Sequence, residues 1–335
     1  MVKNIAINGF GRIGRLVLRS LYESKREDIK VVLVNALGSI ESNAHLFRYD
    51  TTHGRFSGRI STGKDWMDVG IGRFKVTAER NPANLPHNDL AVDIALECTG
   101  KFTKREEAAK HIKAGAKKVL ISAPAVGADI TVVYGVNDHQ IKTEHKIVSN
   151  ASCTTNCLAP VAFVLNNTVG IERGYMTTIH SYTGDQPILD RLHNDLQRAR
   201  AAGQSIIPTC TGAAKTVGIV LPELAGKLDG SSVRVPIANV SLIDFKFVPK
   251  RDTDVEEISM AISEAANGSL KGIIGINSEP LVSADFNHDS HSSIFDLGQT
   301  RVIESKMVRV LSWYDNEWGF SNRMIDTAAV LAKTL

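Results

Sequence analysis

Six residues, Gly9-Phe10-Gly11-Arg12-Ile13-Gly14, stand between a β-branched run (residues 4–8) and a helical pattern (residues 12–24). No other feature of the sequence narrows the fold so far. In a G-x-G-x-x-G turn between strand and helix, the first glycine permits the tight turn, the second lets backbone approach a pyrophosphate, and the third lets helix pack on strand. Backbone N–H groups at the helix start then hold phosphates. Gly9, Gly11 and Gly14 are therefore candidate contacts for a dinucleotide.

Around that turn, residues 31–35, 92–97, 118–122, 130–134 and 146–149 read as further strands, and 42–48 and 104–114 as helices. Strands alternating with crossover helices predict a Rossmann, doubly wound parallel sheet of α/β class over residues 1–150. In such sheets an acid at the end of the second strand accepts the ribose hydroxyls. Here that strand ends Val34-Asn35-Ala36. The missing carboxylate also removes the repulsion that keeps a 2′-phosphate out, so NADP stays open beside NAD.

Beyond Asn150 the pattern changes. Longer alternating segments at 175–181, 231–235, 241–248, 271–276 and 307–314, with few helices, predict an α+β catalytic domain with a mixed or antiparallel sheet over 151–316. In the helix over 255–267, Val255, Ile258, Ala261, Ile262 and Ala265 fall on one stripe expected to be buried. Residues 182–204 show no periodicity, and a loop of that length is more often functional than idle.

Composition limits the functional classes. With 39 Lys and Arg against 36 Asp and Glu, the chain lacks the dense basic footprint of a nucleic-acid binder. The basic stretch 101–118 interleaves Glu106, Glu107 and alanines, as a solvated helix face does. The longest apolar run, 158–165, is far short of the ~20 residues that span a bilayer, so no membrane partner is expected. The N-terminus runs straight into a strand pattern, and four cysteines make no disulfide framework; a cytoplasmic protein is the expectation.

The second informative cluster is Ser152-Cys153-Thr154-Thr155-Asn156-Cys157. A polar start followed by apolar residues places Cys153 at a helix N-terminus, where the helix field favours thiolate and is expected to lower the thiol pKa. Cys157, one turn deeper, reads as core. In Met176-Thr177-Thr178-Ile179-His180, alternation leaves His180 at the end of a strand ahead of the long loop, a place for an acid–base group working near neutral pH. A thiol and an imidazole together suggest nucleophilic catalysis. His288 and His291 form an H-x-x-H with no further ligand nearby, and no metal is expected.

At this point the chain resembles the phosphorylating glyceraldehyde-3-phosphate dehydrogenase family over essentially its whole length. The resemblance rests on Asn8 to Arg15, Ala151 to Cys157, His180-Ser181-Tyr182-Thr183, Thr211-Gly212-Ala213-Ala214-Lys215 and Trp313-Tyr314-Asp315-Asn316-Glu317-Trp318-Gly319. It implies that Cys153 attacks the aldehyde of glyceraldehyde 3-phosphate, that His180 moves the protons, and that inorganic phosphate cleaves the resulting thioester to 1,3-bisphosphoglycerate, a step of glycolysis or gluconeogenesis. It further implies a site for the substrate phosphate at Thr183, Asp185 and Arg234. A site for inorganic phosphate is implied at Ser152, Thr154, Arg198, Thr211 and Gly212. Arg12, Ile13, Asn35, Ala36, Arg80, Ser122 and Asn316 match cofactor contacts. A homotetramer is implied too, with loop 182–204 near a subunit interface and the last helix, about 317–335, packing back on the first domain.

Two departures stand out. Ala36 replaces the ribose-binding aspartate of NAD-preferring members, and Arg191-Leu192 replaces a common Leu-Pro in the loop that approaches a neighbouring subunit's cofactor. Erythrose-4-phosphate dehydrogenase is the nearest alternative.

Overall fold

The computed structural model describes residues 2–335 and separates into two units. The first comprises residues 2–134, Asp138–Ala151 and Ser321–Leu335; the second comprises Gly135–Asn137 and Ser152–Phe320.

The first unit contains β1 (Lys3–Asn8), α1 (Arg12–Ser24), β2 (Ile29–Asn35), α2 (Ile40–Arg48), a small hairpin of β3 (Tyr49–Asp50) and β4 (Gly54–Arg55), then β5 (Ser61–Thr62), β6 (Trp66–Asp68) and β7 (Phe74–Thr77). It continues through β8 (Ile94–Glu97), α3 (Arg105–Lys113), β9 (Lys118–Ile121), β10 (Ile130–Thr131) and β11 (Ile147–Ser149). The nine-stranded sheet runs β10-β11-β9-β8-β1-β2-β7-β6-β5. From β10 to β7 every pairing is parallel, whereas β5 and β6 form an antiparallel edge. That edge is absent from the sequence reading, because strands of two or three residues are too short to display alternation. The continuous apolar character of the central strands follows from burial on both faces: Ile5, Leu33, Ile94 and Val119 are fully enclosed. Helix α2 begins two residues earlier than expected because the Ser39 hydroxyl caps it, accepting the Ser42 N–H at 3.1 Å. The chain's last residues are tied to this unit by Arg26 to Asp326 (2.8 Å), Lys118 Nζ to the Thr334 hydroxyl (2.6 Å) and the Thr327 hydroxyl to Asn150 Oδ1 (2.7 Å).

The second unit holds α4 (Cys153–Thr168), β12 (Ile171–Ser181), β13 (Ile207–Cys210), α5 (Ala213–Val220), β14 (Leu228–Val235), β15 (Ser241–Pro249), α6 (Val255–Asn267), β16 (Ile274–Asn277), β17 (Ser293–Asp296), β18 (Arg301–Ile303), β19 (Met307–Tyr314) and the start of α7 (Trp318–Ala332). Its mixed sheet runs β13-β14-β12-β15-β19-β17-β16, with β18 paired to β19. Along β15, buried and half-buried residues alternate strictly, so Phe245 and Phe247 enter the core, each burial stabilising by roughly 1.5–3 kcal/mol. Helix α6 has the expected limits, with Asp254 accepting the Glu257 N–H at 2.8 Å. Its buried stripe is narrower than expected: Ile258, Ile262 and Ala266 face inward, Ala261 and Ala265 flank them, and Val255, in the first turn, stands exposed. Strands β13, β17 and β18 were not legible in the sequence; each is three or four residues long.

Candidate active site

The strand ends of the first unit form a crevice of about 380 Å³, lined among others by Asn8, Gly9, Gly11, Asn35, Ala36, Arg80 and Thr99. The glycine pattern fits a bound dinucleotide. Gly9 has φ +91°, and a Cβ on it would lie 2.8 Å from Thr99; a Cβ on Gly14 would lie 2.0 Å from the Gly9 carbonyl oxygen. A Cβ on Gly11 would meet no protein atom within 4 Å, so the space above that turn is open. No side chain caps the start of α1, which leaves that end of the helix to face an anion. Ala36 is buried in the wall at the position where an acid was sought. Arg12 is otherwise engaged: its guanidinium donates to both oxygens of Asp50, at 2.5 and 3.1 Å. Ile13 and Ser122 are half-buried outside the crevice wall, and Ser122 N–H donates to the Glu97 carbonyl at 3.0 Å.

In the second unit, α4 starts at Cys153 because Ser152 caps it, its hydroxyl accepting the Thr155 N–H at 3.1 Å. Cys153 Sγ lies 3.5 Å from His180 Nε2. His180 Nδ1 is 2.7 Å from the Ser181 carbonyl, which can only accept, so Nδ1 carries the proton and Nε2 turns its lone pair toward the sulfur. Burial, reinforced by the Arg234 charge, pushes the His180 pKa down to about 3, so the imidazole is neutral at pH 7.

The thiol is pulled both ways. Burial raises its pKa; the Arg234 charge, Thr154 and the N–H groups at the helix start lower it without offsetting burial. The expected depression of this pKa, and the expected titration of His180 near neutrality, are thus corrected: both rested on local position, whereas burial is a tertiary property. Cys157 is core, its sulfur 3.3 Å from the Ser293 hydroxyl, and burial raises its pKa strongly.

Register gathers several of the side chains expected to bind anions. Parallel pairing of β12 with β14 sets His180 opposite Arg234. Arg234 Nη1 donates to the Thr183 hydroxyl (2.9 Å) and the Ser181 carbonyl (3.0 Å), while its Nε is buried without a partner. The Thr183 hydroxyl donates to Asp185, and Arg198 reaches the same carboxylate at 3.3 Å. Burial opposes ionisation of Asp185, but Thr183, Arg234 and Arg198 outweigh it and hold the carboxyl below its ordinary range. Thr183, expected in one phosphate site, and Arg198, expected in the other, therefore meet at Asp185.

Thr154 does not join them by its hydroxyl. That group is buried and bonds the Tyr314 hydroxyl at 2.8 Å, which in turn reaches Thr178 at 2.9 Å. Thr211 accepts the Ala213 N–H at 3.2 Å, with Gly212 opening α5. Asn316 Oδ1 accepts from the hydroxyls of Ser181 and Ser241, both at 2.9 Å, leaving its NH2 group as the donor it can offer. Sequence reasoning missed Tyr314, Ser241 and Asp50; a single buried hydroxyl or a carboxylate in a turn leaves no spacing signal. Among the described residues no group of three or more His, Cys, Asp or Glu is placed to hold a metal ion. His291 instead pairs with Asp289 at 2.7 Å and the His288 ring stacks on Trp318.

A crevice beside a dinucleotide-type glycine turn in one unit and a cysteine next to a histidine in the other are features of the nicotinamide-nucleotide oxidoreductase class. Residues 3–105 match the glyceraldehyde 3-phosphate dehydrogenase NAD-binding domain, and residues 152–316 the C-terminal domain of the same enzyme. Similar proteins include glyceraldehyde-3-phosphate dehydrogenases of Xanthobacter flavus (66% identical over 99% of both chains), Cereibacter sphaeroides (61% over 100% of both) and Geobacillus stearothermophilus (54% over 99% of both). The chain belongs to the glyceraldehyde-3-phosphate dehydrogenase family.

Proposed function

We propose that Cys153 and His180 carry the chemistry of this family here: oxidation of D-glyceraldehyde 3-phosphate, with phosphate uptake, to 1,3-bisphosphoglycerate. The observation that carries the reading is the 3.5 Å approach of Cys153 Sγ to an unprotonated His180 Nε2. The sulfur adds to the aldehyde carbon while the thiol proton passes through His180 to the new hydroxyl oxygen. His180 then removes that hydroxyl proton as the hydride leaves the same carbon, and a thioester remains on Cys153. A nicotinamide nucleotide held in the crevice would supply the hydride acceptor. Inorganic phosphate attacks the thioester carbon, the Cys153 thiolate departs, and the acyl phosphate is released.

Arg234 and Thr183 are the proposed ligands of the substrate phosphate, and Arg198, Ser152, Thr211 and Gly212 those of inorganic phosphate. Planar guanidinium groups and hydroxyls are suited to tetrahedral anions. Asn316 offers its NH2 group to a carboxamide. Relatives 61% and 66% identical carry the glyceraldehyde-3-phosphate name, so erythrose 4-phosphate is not favoured as substrate. A spectrophotometric assay of nicotinamide reduction with each aldehyde, with and without phosphate, tests this reading. Turnover that persists without phosphate, or a preference for the four-carbon aldehyde, sinks it.

NAD is the expected cofactor, with weak discrimination against NADP because Ala36 presents no carboxylate to a 2′-phosphate. A kcat/KM ratio above about 10³ in favour of NAD, roughly 4 kcal/mol, would leave Ala36 with no such role. A homotetramer is supported by loop 182–204, which exposes Ile188 (87%), Leu189 (75%) and Leu192 (99%) on one short stretch. Light scattering that returns a monomer at micromolar concentration argues against it. No helix among the described residues is long and apolar enough to cross a membrane, and a cytoplasmic location fits four free cysteines.

A further inference from the structure

Beneath the dinucleotide crevice lies a buried polar chain that the catalytic reading does not use. Glu97, the last residue of β8, is almost fully enclosed, as are His111 on α3, His87 and Asn8. Four donors converge on its carboxylate. One oxygen accepts from the Thr99 N–H (2.8 Å) and the Thr99 hydroxyl. The other accepts from Asn8 Nδ2 (2.6 Å) and His111 Nε2 (2.9 Å). His111 Nδ1 lies 2.9 Å from His87 Nε2, and His87 Nδ1 has no partner. Burial and the neighbouring His111 push the His87 pKa down to about 3, so His87 ends the chain as a neutral ring.

The chain continues toward the crevice. Asn8 Oδ1 accepts from Asn35 Nδ2 at 2.8 Å, and Asn35 Oδ1 accepts from the Thr77 hydroxyl (2.9 Å) and the Glu79 N–H (2.8 Å). The C-terminal ends of β1, β2, β7 and β8 are thereby linked through one carboxylate and two amides. Asn8, Asn35, Glu79 and Thr99 line the crevice; Glu97 and His111 do not. Thr99 also packs against Gly9 so closely that a Cβ there would lie 2.8 Å from its nitrogen. A displacement of Thr99 is therefore felt at the first glycine of the turn.

We propose that Glu97 and His111 are positioning residues for dinucleotide binding, holding Asn8 and Thr99 in the geometry the nucleotide meets. A carboxylate is required because all four of its partners donate, and four donors on one buried acceptor fix both flanking strand ends at once. His111 keeps the carboxylate in place from the helix side, and its ring is aligned by His87. The inference rests on the crevice being the dinucleotide site.

Calorimetric titration of the full-length protein with NAD tests it, using wild type, Glu97→Gln, His111→Leu and His111→Gln, with thermal denaturation of each protein alongside. Leu and Gln have similar volume, but only Gln can set a donor where ring Nε2 stood. The expected result is a Kd raised about tenfold or more in His111→Leu and Glu97→Gln, and within about threefold of wild type in His111→Gln. Equal Kd values for the two His111 variants overturn the proposal, because a role in packing alone affects both alike. If Glu97→Gln does not fold, the His111 pair decides. Wild type that binds no NAD overturns the reading of the crevice itself, and the inference falls with it.

Discussion

Asp50 grips the guanidinium of Arg12 through two hydrogen bonds, at 2.5 and 3.1 Å, and also accepts the backbone N–H groups of Thr52 and His53 at 2.9 and 3.0 Å. Arg12 therefore meets the glycine turn with its side chain already committed to this carboxylate. Burial opposes the Asp50 charge, but Arg12 and the two N–H groups outweigh it and hold the pKa at about 2. A carboxyl depressed on folding contributes stability that is present above its unfolded value, near 4, and is lost as pH falls toward 2. Asp50→Asn is expected to cost on the order of 2 kcal/mol at pH 7, the difference from wild type shrinking as pH falls through 2 and vanishing only below it. Urea unfolding across that pH range checks it; a deficit independent of pH would show that the ion pair is not the cause.

His180→Asn removes the proposed base while leaving the strand intact. The oxidation rate is expected to fall by about 10²–10⁴, the usual contribution of a positioned acid–base group. Stopped-flow measurement of the first turnover is the appropriate readout, since steady state can be limited by release. A burst at the wild-type rate would remove His180 from the proton path.

Arg234→Gln deletes the charge that faces both Thr183 and the Cys153–His180 pair. A charge-assisted hydrogen bond contributes about 1.5–3 kcal/mol, so the KM for the phosphorylated aldehyde is expected to rise at least tenfold, with far less change for unphosphorylated glyceraldehyde. Equal effects on the two aldehydes would assign Arg234 to the reacting centre rather than to the phosphate.

Thr154→Val separates two readings of one hydroxyl. Because that group bonds Tyr314 inside the core, the substitution is expected to lower stability by about 1 kcal/mol and to leave the KM for inorganic phosphate within threefold of wild type. Ser152→Ala, by contrast, deletes the helix cap at the half-exposed helix start and is expected to raise that KM. Phosphate titration of both variants distinguishes them. A large effect on phosphate from Thr154→Val alone would reverse the assignment.

Much of the fold was readable residue by residue. The limits of α1 and α6 coincide with those expected, because a glycine turn and an aspartate cap mark their starts locally. Most of the parallel strands announced themselves by apolar runs, but β7 (Phe74–Thr77), with only Phe74 buried, did not. The antiparallel edge formed by Ser61–Thr62 and Trp66–Asp68 did not, since two or three half-exposed residues carry no periodicity.

Within the sites, the sequence alone determined which residues are chemically competent: glycines that admit a pyrophosphate, a cysteine at a helix start, a histidine at a strand end, and an alanine where an acid is usual. Those are properties of neighbours along the chain. The tertiary structure decided which of them meet, and in what state. Strand register set His180 beside Arg234 across 54 positions, and burial made that imidazole neutral and raised the Cys153 thiol against its own helix. Folding also turned the Thr154 hydroxyl inward and brought Asn8 to Glu97 across 89 positions. Register, burial and hydrogen-bond partnership arise only when distant segments share the same space, and no local pattern of residues encodes them.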